Sequence, residues 1–294
     1  MRKISSKLFN RFFIWLKILK AFRGLTLKSV FNLLLSALCD TLLYAFTGAS
    51  INPRLLLKGL FFFKAKGLGI VAVRGGTDDL YNLLPGREGD VEVYIESHLA
   101  EGFVFVDVGA NVGYYTLKAS KLVGAAGRVY AIEPVPSTAA VLRANVRLND
   151  CSNVVIHEVA AWSARGKLTL SVPGSLYGLA SVTKEGQGAV TVEALTLDEL
   201  LRGENRVDLI KIDVEGAELE VLRGAQSVLR KARYVVLELS RNAREVLHIL
   251  RGAGFACKKA RFTIYVLCER REPRSCPQEY SPMSGLPTSE NRNG

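Results

Sequence analysis

Between residues 103 and 239, short β-branched runs alternate with helical stretches, and this alternation limits the possible folds more than any other feature of the sequence. Phe103–Asp107, Arg128–Ile132, Asn153–Glu158, Asp208–Ile212 and Tyr234–Leu239 read as strands, with helical spans near Tyr115–Lys121 and Thr138–Leu148. Strands joined through helices need crossover connections, which predicts a mostly parallel sheet with helices on both faces. Phe255–Cys257 and Phe262–Cys268 read as a closing antiparallel hairpin. In such sheets a ligand sits beyond the carboxyl ends of the strands, where the strand order reverses. Chemistry is therefore expected at the strand ends.

The first of those ends reads VFVDVGANVGYYTL, residues 104–117. Gly109 and Gly113 bracket a turn where a ligand can meet bare backbone, and a helix N-terminus follows. Asp107 closes the strand. Glu133 ends the second strand, 20 residues after Gly113, and a carboxylate there accepts from both hydroxyls of an adenosine ribose. A nicotinamide dinucleotide would need glycine at 109, 111 and 114 to cradle its pyrophosphate. The chain has Gly109, Asn111 and Tyr114, so a nicotinamide-dependent reductase is the less favoured alternative. Adenosine without pyrophosphate, beside acidic residues, suits S-adenosylmethionine.

Charge divides the chain. Residues 1–74 hold 13 Lys and Arg against one acid, Asp40, a balance of +12. The remainder holds 26 against 27, a balance of −1, which together give the net +11. A basic excess confined to one end gives the body no cationic face, so no nucleic-acid partner is expected. Residues 2–23 carry seven cations and no acid, with Leu8, Phe12, Trp15, Leu19 and Phe22 at helical spacing. That pattern predicts a helix at an anionic membrane surface. The following residues 25–63 are strongly apolar. Their longest uncharged runs, Ser29–Cys39 and Thr41–Pro53, fall short of the ~20 residues of a spanning helix. Residues 1–66 are thus expected to form a basic, apolar helical membrane-associated region. Residues 67–269 are expected to be the catalytic domain and 270–294, rich in proline and polar residues, a disordered tail. The five cysteines form no C-x-x-C pair and the three histidines are not at metal-ligand spacing. Reduced cysteines in a cytoplasmic body, peripheral to or anchored at the membrane, are the expectation.

DVGANVGYYTL (107–117), GRVYAIEP (127–134), LRANVRLND (142–150), TLDEL (196–200) and DLIKIDVEGAELEVLRGA (208–225) together resemble the FkbM-type S-adenosylmethionine-dependent methyltransferases. The resemblance runs from about Glu101 to Ser240 and leaves the N-terminal region uncovered. It implies an α/β class I methyltransferase fold, Rossmann-like, with a seven-stranded mostly parallel sheet. It also implies O-methylation of a hydroxyl on a sugar, glycan, lipid-linked glycan or small-molecule acceptor. On the family's motifs, Asp107, Gly109, Asn111 and Gly113 fall on the cofactor loop, Glu133 on the ribose acid and Ala160 near the adenine. Asp213 and Glu215 fall on the acidic pair beside the transferring methyl. The alternating segments KLTLSV and AVTVEAL predict a β-hairpin insert, with loop 173–188 as a candidate substrate lid.

Removing a proton from an acceptor hydroxyl asks for a carboxylate whose pKa burial has raised. Asp213 is the first choice, Glu215 shares or orients, and Glu238 at the next strand end aims at the same cleft. Glu215 reads equally well as a helix cap. Lys211 lies two residues before Asp213 and so shares its face, where it pairs with an acid or meets the acceptor. No metal is expected, because the Asp-Asn partner of catechol-type enzymes is not apparent. His98 and His157 are alternative bases by residue type, but one precedes the first strand and the other lies inside the third, so both read as packing or surface residues. Tyr114 and Tyr115 either pack around the cofactor's methionine end or begin a helix. A non-catalytic membrane adaptor on the same fold is the other alternative, against which the intact Asp107/Glu133 pair argues.

Overall fold

The computed structural model describes residues 2–48, 52–171, 181–182, 189–239 and 241–271; side chains are described from residue 11, except at 181–182. The chain opens with α1 (Arg2–Ala21), β1 (Phe22–Gly24) and α2 (Leu27–Thr47), followed by the hairpin β2 (Gly59–Ala65) and β3 (Gly69–Gly75). Next come α3 (Asp79–Asn82), α4 (Gly89–His98), β4 (Val104–Val108), α5 (Tyr114–Val123), β5 (Arg128–Ile132), α6 (Pro136–Leu148) and β6 (Val154–His157). The insert holds β7 (Ala160–Ala161), β8 (Gly166–Ser171), β9 (Ser181–Val182) and β10 (Ala189–Leu195). The chain continues through α7 (Leu197–Leu200), β11 (Val207–Ile212), α8 (Glu218–Arg223), α9 (Gln226–Lys231) and β12 (Ala232–Glu238). It closes with α10 (Ala243–Gly252), β13 (Phe255–Lys259) and β14 (Tyr265–Arg270).

Seven of these strands form the central sheet in the order β13-β14-β12-β11-β4-β5-β6. β14 runs antiparallel to both its neighbours, and the other four pairings are parallel ladders joining β12, β11, β4, β5 and β6. This is the α/β class I methyltransferase architecture, with its order reversing between β4 and β11. The residues of β11 are buried throughout, as befits a strand covered on both faces. The ends of the crossovers have local causes. Pro136 starts α6, where its missing N–H is not needed. The TLDEL segment is a capping box in which Thr196 accepts from the Glu199 amide while Glu199 accepts from the Thr196 amide, opening α7.

β8 and β10 pair antiparallel, from Ala189 opposite Ser171 to Ala194 opposite Gly166, and form the expected hairpin insert. Most of loop 173–188 lies outside the described residues. The N-terminal boundary differs from the sequence expectation. β2 and β3 pair through seven residues, from Gly59 opposite Gly75 to Ala65 opposite Gly69, so a border at residue 66 cuts through a hairpin. Asn145 and Asn149, one turn apart on α6, satisfy the free edge of β3 by accepting from the amides of Ala72 (2.7 Å) and Ile70 (3.0 Å). Trp15, Ile18 and Phe22 belong to the same apolar core as Phe105 and Leu117. The apolar stripe expected on α1 is accordingly split: Trp15 and Phe22 are buried whereas Phe12 and Leu19 are exposed. Residues 272–294 of the expected tail lie outside the described residues, and Arg270 belongs to β14, its guanidinium donating to Ala232 O (2.7 Å) and Ala253 O (3.0 Å).

The expectation of reduced cysteines fails for one pair. Cys257 and Cys268 face each other across β13 and β14 and are disulfide-bonded, while Cys39 and Cys151 are free. The cross-strand register brings their side chains together, which the spacing of the cysteines in sequence does not reveal.

Candidate active site

Where the strand order reverses, β4 and β11 end side by side, and their continuations form the floor of a cleft. Gly109 takes φ +78° and leaves no room for a side chain, since a Cβ there would collide with the carbonyl oxygen of Asp213. Glycine is thus required on two counts, backbone conformation and close approach. The loop is pinned by Gly109 N and Ala110 N donating to Ile132 O (3.0 Å each), and from behind by Asn145 Nδ2 donating to Val112 O (2.8 Å). Asn111 sits at φ +51° and its amide donates to Glu133 Oε2 (2.9 Å), while Val135 N donates to Oε1 (3.0 Å). Burial pushes the Glu133 carboxyl up to about 7 despite these two amides.

The sequence-derived cofactor residues converge. Gly109, Asn111, Glu133 and Ala160 all line the cleft, together with Val112, Pro134 and Trp162. Gly113 (φ +98°) forms the N-cap of α5 directly behind the loop. Asp107 does not line the cleft; it is buried beneath it, accepting from Thr116 Oγ1 at 2.7 Å. Its Oδ1 accepts no hydrogen bond and has Lys211 Nζ 3.7 Å away. Burial raises its pKa, with Lys211 opposing. The residues fit an adenosine-type ligand without pyrophosphate. Glu133 presents a buried carboxylate with acceptor capacity left over, Asn111 Oδ1 is buried and unpartnered, and the turn at Gly109 offers bare backbone.

Beyond that half of the cleft stand the acids. Carboxylate oxygens of Asp213, Glu215 and Glu238 lie within 4.8 Å of one another, a spacing that also suits a divalent cation. Lys211, buried on β11, puts a positive charge beside Asp213, its Nζ donating to Asp213 Oδ2 at 3.2 Å and lying over the Tyr115 ring. Tyr265 reaches in from β14 and donates its hydroxyl to the same Oδ2 at 2.7 Å. These partners reverse the shift expected for Asp213. Burial alone would raise its pKa, but Lys211, Tyr265 and Arg87 outweigh burial and hold the carboxyl below its ordinary value. The raised groups are its neighbours. Burial and the Asp213 charge push Glu215 up to about 7 and carry Glu238 well above the usual carboxylate range. Glu238 Oε2 is buried without a partner. Glu215, at φ +50°, lies ahead of α8 rather than capping it; Glu218 accepts from Gly216 N instead.

Several lining residues escaped sequence reasoning. Asn52, Asp78, Asn82 and Arg87 reach the cleft from the N-terminal third of the chain. Asp78 Oδ1 and Asn82 Nδ2 are both buried, and burial raises the Asp78 carboxyl while its own backbone and Asn82 oppose the shift. Only the TDD turn at 77–79, a helix-opening pattern, hinted at this pair. Tyr114 and Tyr115 both begin α5 and line the cleft. His98 stacks on Tyr94 and His157 on Tyr130, both outside the lining.

Comparison with known proteins gives this geometry a family. The methyltransferase FkbM domain matches residues 107–257, just over half of the chain. The chain belongs to the FkbM methyltransferase family. Methyltransferase sdnD of Sordaria araneosa is 32% identical over 165 residues, covering 45% of this chain and 63% of that protein. Hexuronic acid methyltransferase AglP of Haloferax volcanii is 29% identical over 159 residues, covering 53% of this chain and 63% of that protein. The chain therefore spans just under two thirds of the length of these curated relatives. Among solved structures, the FkbM methyltransferase of Methylobacillus flagellatus KT aligns with a TM-score of 0.41 at 16% identity, over 65% of this chain and 54% of that one.

Proposed function

We propose that this FkbM-family chain is an S-adenosylmethionine-dependent O-methyltransferase acting on a hydroxyl of a sugar or glycan. The observation that carries the reading is the junction of two half-sites at one strand reversal. The ribose acid Glu133 and bare turn at Gly109 stand on one side, and the cluster Asp213, Glu215 and Glu238 on the other. S-adenosylmethionine bound there would supply a methyl group on a positively charged sulfur. Glu133 and Asn111 hold the adenosine end, and Gly109 admits the chain that follows it. Glu215, pushed up to about 7, would accept the acceptor hydroxyl's proton as its oxygen takes the methyl group and the methyl–sulfur bond breaks, the sulfur leaving as a neutral thioether. Glu238, with its raised pKa and unpartnered oxygen, shares that proton. Asp213 remains ionised between Lys211 and Tyr265, so it would orient the acceptor hydroxyl toward Glu215 and Glu238. Asp78 Oδ1 and Asn82 Nδ2, a buried acceptor and a buried donor in the lining, complement a further hydroxyl, which can both donate and accept. The hexuronic acid named for AglP is an acceptor of this chemical kind. Lys211 already balances the charge of Asp213, and the reaction is proposed to be metal-free.

Calorimetric titration of the full chain with S-adenosylmethionine tests the cofactor half, with Glu133→Ala as control. Binding in the wild type that disappears in the variant supports the reading; no binding to a folded wild-type chain refutes it.

A further inference from the structure

Helix α2 is built inside out. Its inward line carries Ser29, Asn32 and Ser36, all buried, followed by Asp40. Its outward line carries Leu27, Phe31, Leu34, Leu38, Leu42 and Phe46, all exposed, with Leu27 at 90% and Phe46 at 87%. A water-facing helix shows the opposite arrangement. The inward polar groups are fully used by the returning chain. Asn32 accepts from Leu57 N (3.0 Å) and donates to Leu57 O (3.2 Å), Ser36 Oγ accepts from Leu56 N (2.8 Å), and Ser29 Oγ accepts from Phe62 N (3.2 Å). Asp40 is neutralised by α1, where Arg11 Nε and Nη2 each donate at 2.5 Å and Trp15 Nε1 donates at 2.6 Å. No charge is left unpaired on α2 between Lys28 and Thr47.

From this arrangement we infer that the outward face of α2 lies in the surface of an anionic phospholipid bilayer, with the helix parallel to the membrane and not across it. Leu27–Thr47 has the length and composition of a spanning helix. Spanning, however, would strip Ser29, Asn32, Ser36 and Asp40 of these partners and leave them in hydrocarbon, where unsatisfied polar groups are costly. Charge selects lipid over a second copy of the chain as the occupant. Residues 1–74 hold 13 cations against Asp40 alone, and Asp40 is spent internally. At the base of the helical pair, a shallow groove is lined by Lys20, Arg23, Lys64, Lys66 and Lys121 and by no acid. Two such surfaces repel each other, whereas anionic headgroups neutralise them.

The test uses the full chain and sealed phosphatidylcholine–phosphatidylglycerol vesicles. Wild type is expected to co-sediment at low salt and to remain partly bound at molar salt, because the apolar contact is not screened. Leu34→Asp with Leu38→Asp should weaken partitioning by about tenfold or more. S-adenosylmethionine affinity should stay unchanged in that variant, since neither residue lines the cleft. With Cys39, Cys151 and Cys276 replaced by Ser, single cysteines introduced one at a time at Lys28 and Thr47 should both react with an impermeant maleimide added outside. Equal partitioning of the double variant overturns the inference. So does lumenal protection of residue 47, which means a span, or a lipid-free dimer that the double variant dissolves, which means a second copy. Affinity for the cofactor is read separately, so failure here is distinguishable from failure of the methyltransferase reading.

Discussion

Replacing Lys211 by Met removes one buried charge and leaves two buried carboxylates behind. The ammonium lies 3.2 Å from Asp213 and 3.7 Å from Asp107, at side-chain exposures of 3%, 20% and 1% respectively. Met keeps the stem that packs under Tyr115, so the loss is electrostatic. Removing one partner of a buried ion pair costs about 3–5 kcal/mol. At about 2–4 °C per kcal/mol for domains of roughly this size, the melting temperature should drop by about 6–20 °C. The pH dependence is the sharper test. In the wild type, Lys211 holds Asp213 below its unfolded pKa, so that group's stabilisation is in place at and above mild acidity and is lost only as the pH falls through the depressed value. Without Lys211, burial lifts both carboxyls above their unfolded values. The folded variant then binds more protons than its unfolded chain, and its stability falls as pH rises through the new folded pKa values. The gap between variant and wild type should therefore be widest near pH ~8 and narrow towards pH ~5. Thermal unfolding followed by circular dichroism at both pH values measures it. A gap below about 1 kcal/mol, or one that is equal at both pH values, would refute the reasoning.

Other predictions concern ligand and turnover. Burial pushes Glu133 up to about 7, and on the proposed reading its carboxylate form accepts ribose hydroxyls, so S-adenosylmethionine affinity in the wild type should rise with pH up to about 8 and then level, while Glu133→Gln should be weaker by about 10–100-fold and flat with pH; isothermal titration at several pH values decides. Turnover should rise with pH through about 7 as Glu215 ionises, and Glu215→Gln should lower it and shift that limb upward towards Glu238. Asp213→Asn should preserve cofactor affinity but reduce turnover by ~10²-fold or more. Exhaustive chelation should leave turnover intact, and loss with rescue by magnesium would assign the Asp213–Glu215–Glu238 cluster to a metal instead.

The sheet was legible because its signals are local. Periodicity marked each of the strands β4, β5, β6, β11 and β12, and the Gly109 turn and Glu133 identified themselves by position relative to those strands. What depends on distant partners was not legible. Asp40, which reads as a charge stranded in an apolar run, is answered by Arg11 and Trp15 at 29 and 25 residues' separation. The direction of the Asp213 shift rests on Tyr265, 52 residues away, and on a distance to Lys211 that the shared face suggested without measuring. The hairpin of β2 and β3 was hidden within an apolar stretch that reads equally well as helix, which is why the border was placed at residue 66. The register joining Cys257 to Cys268 follows from where the turn between their strands falls, and that turn carries no strong sequence signal.

Tyr265 gives the cleft an order of assembly. A nascent chain meets its cofactor loop and Glu133 early, then Asp213, and the hydroxyl that completes Asp213 only when β14 has been made and slotted between β12 and β13. Until then Asp213 has Lys211 as its neighbour and no phenol, and β12 has an open edge. The acidic half of the cleft is thus completed only once β14 has joined the sheet, well after the Gly109 turn and Glu133 are in place.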